Sequence, residues 1–244
     1  MPCFRQGAPI RSATLTQGHT RVPLLPVKVT YYLEVISSWC YWAEPAWAEL
    51  KARYAGSVEF EWRIALMRPE DFPVSRSQCE WFYRRSGTLM RSPHMLNPDW
   101  MVLGKGDSFD NPSLVAEAGR DFGVADDTIR LALSRAAVID GRKVARMAES
   151  ASIASKASGI PAKKLQARAE SAAVRARTEA STAEFFSHRI NQRPAFIVED
   201  KIGDKAVFAG LARAEPVAAA IDAMLADTAA YASYAAHFGP VPKA

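Results

Sequence analysis

Residues 27–45 read VKVTYYLEVISSWCYWAEP, and this stretch decides the fold. Val29 to Ile36 is an apolar strand that ends in Ser37-Ser38-Trp39-Cys40 and passes straight into a helix. The helix carries Ala43, Ala46, Trp47, Leu50 and Tyr54 at i, i+3, i+4, i+7 and i+11, which places them on one face. A strand entering a helix through a short polar turn aims the first-turn N–H groups, and the positive end of the helix dipole, at the turn. The residues there are two serines and a cysteine. Such a turn favours an anion, and a thiolate is one of the anions it favours.

Downstream of that helix, Gly56 makes a break and Val58, Phe60, Trp62 and Ile64 alternate with polar residues, as in a strand with one buried face. Strand, helix and strand in such short order make a βαβ unit, with parallel strands and a right-handed crossover. After Met67-Arg68-Pro69 the pattern changes, and residues 70–111 read as irregular around the aromatic run Trp81-Phe82-Tyr83. Helical signals resume at Asn111-Pro112, with Asn111 as cap, and again at Asp126 or Asp127. Gly141 divides that helix from an Ala- and Ser-rich one reaching about Ser158, and helical periodicity then continues from Pro161 to about His188. Strand character returns at Pro194–Glu199, with Ala206–Ala209 as a hairpin partner. Glu215-Pro216 opens a last helix with Val217, Ala220, Ile221, Met224 and Leu225 on one face, and the tail from Thr228 is expected to fray.

Composition narrows the function classes. The chain has 244 residues and a formal charge of +5, but four of its basic residues, Arg5, Arg11, Arg21 and Lys28, fall among the first 30 residues with no acid beside them. The remainder is nearly neutral, which argues against a dedicated nucleic-acid face. No run of apolar residues is long enough to span a membrane, and residues 1–26 lack the apolar core of a secretory leader and read as an arm. Three cysteines, Cys3, Cys40 and Cys79, are an odd number and no disulfide framework, so a reducing, cytoplasmic setting is expected. His19, His94, His188 and His237 show no metal-ligand spacing.

The order β-α-β, helical insertion, β-β-α resembles the DsbA-like branch of the thioredoxin superfamily. That branch also holds the 2-hydroxychromene-2-carboxylate isomerases and the kappa-class glutathione transferases. Three local matches carry the resemblance: Ser37-x-x-Cys40 between strand and helix, Gln192-Arg193-Pro194 opening the third strand, and Phe208-Ala209-Gly210 before the last helix. It implies an α/β fold with a thioredoxin-like core at 27–69 and 186–228, an all-helical insertion at 70–185, an arm at 1–26 and a tail at 229–244. Pro45 lies five residues after Cys40, as the helix proline of the family follows its second cysteine, so Ser37 stands at the first, attacking position. A hydroxyl there cannot exchange disulfides, and two-cysteine dithiol chemistry is not expected.

The resemblance leaves three readings. In the first, the protein is a DsbA-family oxidoreductase-like enzyme with a Ser-x-x-Cys motif acting on small thiols or thiol adducts, with Cys40 as a monothiol and Cys79 as candidate resolving thiol. In the second, it is a glutathione-dependent isomerase or transferase in which Ser37 hydrogen-bonds the glutathione thiolate. The match of Glu34-Val35-Ile36-Ser37 to that branch favours this, whereas Leu211 and Ala212 stand where the branch places a Ser-Asp pair. In the third, the scaffold binds a ligand or partner without catalysis. The resemblance also implies a cis peptide before Pro194, presenting the backbone of Arg193 to an extended thiol substrate. Arg193 beside the site would favour a thiolate or a ligand carboxylate. Trp39 is the candidate ligand-facing wall and Arg68 a candidate partner for an acidic ligand group, while Trp42 is expected in the core. Glutathione is an expected ligand rather than a permanently bound cofactor. No metal, nucleic acid or membrane is expected as partner, and a homodimer is compatible with the sequence.

Overall fold

The computed structural model describes residues 26–239; Cys3 and nearly all of the N-terminal arm lie outside them. Four strands form one mixed sheet: β1 (Val27–Leu33), β2 (Val58–Ile64), β3 (Ala195–Asp200) and β4 (Lys205–Ala209). Their order is β2-β1-β3-β4, with β1 parallel to β2, and β3 antiparallel to both β1 and β4. Alternation along β1 divides the interior. Val27, Val29, Tyr31 and Leu33 face a core shared with α1 (Ser38–Arg53) and α8 (Glu215–Phe238). Tyr32 points the other way, into a smaller cluster around Phe185 of α7 (Ala172–Ser187). The Tyr31 ring stacks on Phe196 of β3 at 4.9 Å and lies 5.1 Å from Trp47 of α1. One buried aromatic thus joins both halves of the core. The β-α-β and β-β-α halves, with helices between them, match the fold class expected above.

Between β2 and β3 run α2 (Arg76–Leu89), α3 (Asn111–Gly119), α4 (Thr128–Val138), α5 (Met147–Ser158), α6 (Ala162–Ala169) and α7. The stretch 70–111 is not irregular as its composition suggests. Ser75 caps α2 by accepting from the Gln78 N–H at 3.2 Å, and Cys79, Tyr83 and Ser86 at i, i+4 and i+7 supply the buried face. Asn111 begins α3 but does not cap it. Its side-chain amide donates to the Ala145 carbonyl at 2.7 Å, tying α3 to the α4–α5 connection. The helical run after Pro161 is broken at Ser171, whose side chain caps α7.

A buried polar cluster fastens the insertion to α1. Arg130 of α4, only 2 % exposed, donates to Glu44 Oε1 at 2.5 Å and to Asp127 Oδ1 at 2.5 Å. Tyr31 donates to the same Glu44 oxygen at 3.2 Å, Trp47 Nε1 donates to Asp127 at 3.2 Å, and Lys51 pairs with Asp127. Asp127 therefore spends its carboxylate on these partners, and Asp126 accepts from the Thr128 N–H at the start of α4.

In α8, Val217, Ala218, Ile221 and Met224 are buried, and the helix continues to Phe238. The expected tail from Thr228 is helical through that residue, with Tyr231, Tyr234 and Phe238 exposed. Among the described residues no helix is long and apolar enough to cross a membrane.

Candidate functional site

The β1–α1 turn sets the site. Ser37 has extended backbone angles and occupies the N-cap of α1, where its hydroxyl oxygen accepts from the Cys40 N–H at 3.4 Å and its carbonyl accepts from the Tyr41 N–H at 3.0 Å. No acidic residue stands in the first turn of α1, so nothing there offsets the positive end of the helix. One residue type decides what the turn can do: the half-buried group at its surface is a hydroxyl, and the sulfur lies beneath.

Cys40 is 2 % exposed, and its Sγ accepts a hydrogen bond from the Glu34 N–H at 3.4 Å. Burial pushes its thiol up to about 12, although the Glu34 N–H and the Ser37 hydroxyl both favour the thiolate. At pH 8 such a thiol is held in its protonated form. Iodoacetamide is accordingly expected to leave Cys40 unmodified in the native chain and to label it once the chain is unfolded in urea. Rapid native labelling, located by peptide mass mapping, would contradict this burial.

Two joined cavities open in front of the turn. The inner one, about 170 Å³, has walls that include Ser37, Trp39, Cys79, Tyr83 and Trp100. The outer one, a groove of about 520 Å³, shares Ser37, Trp39, Met67, Asp71 and Arg85 with it and runs on to Asn191, Gln192, Arg193 and Gly210. Ser37, Trp39, Cys79 and Arg193 thus meet at one place, and Cys40 sits behind them without lining either space.

Cys79 is buried in α2, and burial pushes its thiol up to about 11, partly countered by a hydrogen bond with Tyr83. The Tyr83 hydroxyl in turn accepts from Trp100 Nε1 at 2.6 Å. Trp42 is core, with its Nε1 donating to Ser86 of α2 at 3.1 Å. The Arg193–Pro194 peptide bond is cis, and the Pro194 carbonyl accepts from the Gly210 N–H at 2.7 Å. Arg193 is 9 % exposed and donates to the carbonyls of Ala65 and Leu66, both at 2.5 Å, with Asp71 at 3.6 Å. Its guanidinium ties the end of β2 to the start of β3, and burial lowers its pKa from the ordinary arginine value. Arg68 is exposed, lies over the Phe186 ring and faces Glu70 and Asp71 outside both cavities.

Glu34 is a residue whose role sequence reasoning missed. It is 1 % exposed, and its carboxylate accepts from the Val35 N–H at 3.0 Å, the Met67 N–H at 3.1 Å and the Ser113 hydroxyl at 2.5 Å. One side chain therefore joins the β1–α1 turn, the end of β2 and helix α3. Burial pushes its carboxyl up to about 7 against those hydrogen bonds and the attraction of Arg193. The signal for it was an acid in the middle of an apolar strand; its partners were not readable. Among the described residues no group of three or more His, Cys, Asp or Glu side chains is placed to hold a metal ion.

No family model matches the chain, and no curated protein matches its sequence. Solved structures do match in fold. A putative protein disulfide isomerase from Nitrosomonas europaea superposes with a TM-score of 0.67 at 17 % identity, covering 83 % of this chain and 98 % of that one. The cytosolic disulfide reductase DsbM from Pseudomonas aeruginosa gives 0.64 at 18 % identity, covering 81 % and 98 %, and the same protein with GSH gives 0.64 at 16 % over the same shares. Pseudomonas aeruginosa DsbA gives 0.57 at 15 % identity, covering 85 % and 86 %. The sheet order, the helices between its halves and these superpositions agree: the chain has the DsbA-like thioredoxin fold.

Proposed function

We propose that this protein acts on small thiols or thiol adducts, with Ser37 receiving the substrate sulfur at the amino end of α1. The observation that carries the reading is the division of labour in the turn: Ser37 lines both cavities, while Cys40 is buried behind it and lines neither. A substrate thiolate placed there meets the Ser37 O–H and the positive end of α1, both of which favour the anion. DsbM, a protein of the same fold, has been solved with GSH, which supports a glutathione-like ligand. Non-redox chemistry on the adduct, of the isomerase or transferase kind, fits this turn better than attack by Cys40. The Cys40 sulfur is neither exposed nor easily ionised.

A second reading rests on Cys79, whose thiol is also buried and raised but which, unlike Cys40, lines the inner cavity together with Ser37. A mixed disulfide formed there would make the protein a thiol–disulfide oxidoreductase through Cys79, with a second thiol from solution resolving it.

Calorimetric titration with glutathione tests the first reading. Saturable binding to the wild type is expected, weakened about tenfold or more in Ser37→Ala through loss of a charge-assisted hydrogen bond. Exposure to glutathione disulfide followed by peptide mass mapping tests the second, because an adduct on Cys79 is its signature. A wild type that takes up neither glutathione nor the adduct would sink both.

A further inference from the structure

Arg85 holds a position that the chemistry at Ser37 does not use. It lies on the exposed side of α2, and the centre of its guanidinium is 5.0 Å from the Trp81 ring centroid and 5.1 Å from that of Phe82. Among the described residues it has no carboxylate partner. It also lines both the inner cavity and the outer groove. The other charged side chains there are already engaged: Arg193 on the Ala65 and Leu66 carbonyls, and Asp71 by Arg193 at 3.6 Å and the Arg68 N–H at 3.0 Å. With no acid in the first turn of α1, the shared space is left with one uncompensated positive side chain beside a positive helix end.

A guanidinium packed against two aromatic rings, with no carboxylate on it among the described residues, keeps N–H donors for a ligand. Its planar fork fits a carboxylate by two parallel hydrogen bonds, which a point-charged ammonium does not reproduce. Asn191 and Gln192, both exposed on the far wall of the groove, offer amides to the remaining polar groups of such a ligand.

We propose that Arg85 is the carboxylate anchor of the thiol site, so that the substrate class is carboxylate-bearing thiols and their adducts rather than neutral thiols. This inference rests on the reading of Ser37 as the sulfur-binding group. Sulfur and carboxylate are then held at two points of one cavity, and specificity comes from the carboxylate end.

Glutathione and its diethyl ester, in which both carboxylates are masked, separate the two ideas by calorimetric titration of the wild type, Arg85→Gln and Arg85→Lys. Expected are a loss of glutathione affinity of about tenfold or more in Arg85→Gln, an intermediate value in Arg85→Lys, and the same diester affinity in all three. Equal glutathione affinity in the wild type and Arg85→Gln overturns the anchor while leaving the Ser37 reading standing. A parallel loss of glutathione and diester overturns it as well, since Arg85 would then only support the cavity wall to which Phe82 belongs. If the wild type takes up neither compound, the Ser37 reading and the anchor fall together.

Discussion

Replacing Arg130 with alanine is expected to destabilise the protein by roughly 3–5 kcal/mol, a loss that few single substitutions reach. The guanidinium is 2 % exposed and is shared by Glu44 and Asp127, with both contacts at 2.5 Å. Its loss leaves Glu44 with only the Tyr31 hydroxyl, in a place where burial already raises the carboxyl above its ordinary value. Asp127 keeps Lys51 and Trp47, so the damage concentrates on Glu44. Adding Glu44→Gln to Arg130→Ala is accordingly expected to recover part of the loss, because the neutral amide needs no counter-charge. Urea midpoints of the two single variants and the double variant measure this directly. Additive losses would show that the pair is not coupled. Since the cluster joins α4 to α1, the insertion is expected to loosen first, seen as faster hydrogen exchange in α4 than in β1.

Glu34→Ala should come close to this. The substitution removes the acceptor for the Val35 and Met67 N–H groups and for the Ser113 hydroxyl, and each buried donor left unpaired costs about 1–3 kcal/mol. The same residue gives stability a pH dependence of definite sign. Its carboxyl is pushed from 4.5 up to about 7 in the folded chain, so between those values the folded state holds a proton that the unfolded chain has released. Stability contributed by this group therefore falls as pH rises from 4.5 to about 7 and is flat above. At about 1.4 kcal/mol per pH unit, the total is on the order of 3 kcal/mol. In Glu34→Gln that part of the profile is expected to vanish. Parallel midpoint-versus-pH curves for the wild type and Glu34→Gln would assign the slope elsewhere. The Glu34 N–H is also the donor to Cys40 Sγ, so native alkylation of Cys40 in Glu34→Ala reports whether the turn has shifted.

What the sequence disclosed follows the range of the interactions. The strand expected at Val29–Ile36, the face of α1 from Ala43 to Tyr54 and the alternation of Val58 to Ile64 are local periodicities, and each appears as an element, although β1 runs Val27–Leu33 and gives way to the turn three residues before Ile36. The hairpin at β3 and β4 was legible for the same reason. Helix α2 was not: Arg76, Arg84, Arg85 and the exposed Trp81 mask a face made of Cys79, Tyr83 and Ser86, only one of which is large. Arg193 was readable as a basic residue beside a proline-led strand. That it would be held by Ala65 and Leu66 was not, because those carbonyls lie more than a hundred residues earlier in the chain. Glu34 was similarly opaque, since its hydroxyl donor, Ser113, comes from a different helix. Periodicity reports which face is buried; it does not report which polar group waits on the other side of the interface.

Gly210, at the end of the hairpin, restricts what natural variation can do to the groove. Its φ of +76° already disfavours a side chain, and a methyl group built there would stand 2.5 Å from Oε1 of Gln192. A larger residue would displace the flexible end of that side chain from the groove wall. Among descendants of this gene, a bare backbone at the position should therefore travel with the glutamine before Arg193. Lineages that have abandoned the ligand would be free to lose the glutamine but not the glycine, which the backbone needs in either case, so the glutamine is the marker that sorts ligand-binding relatives from scaffolds that only share the shape.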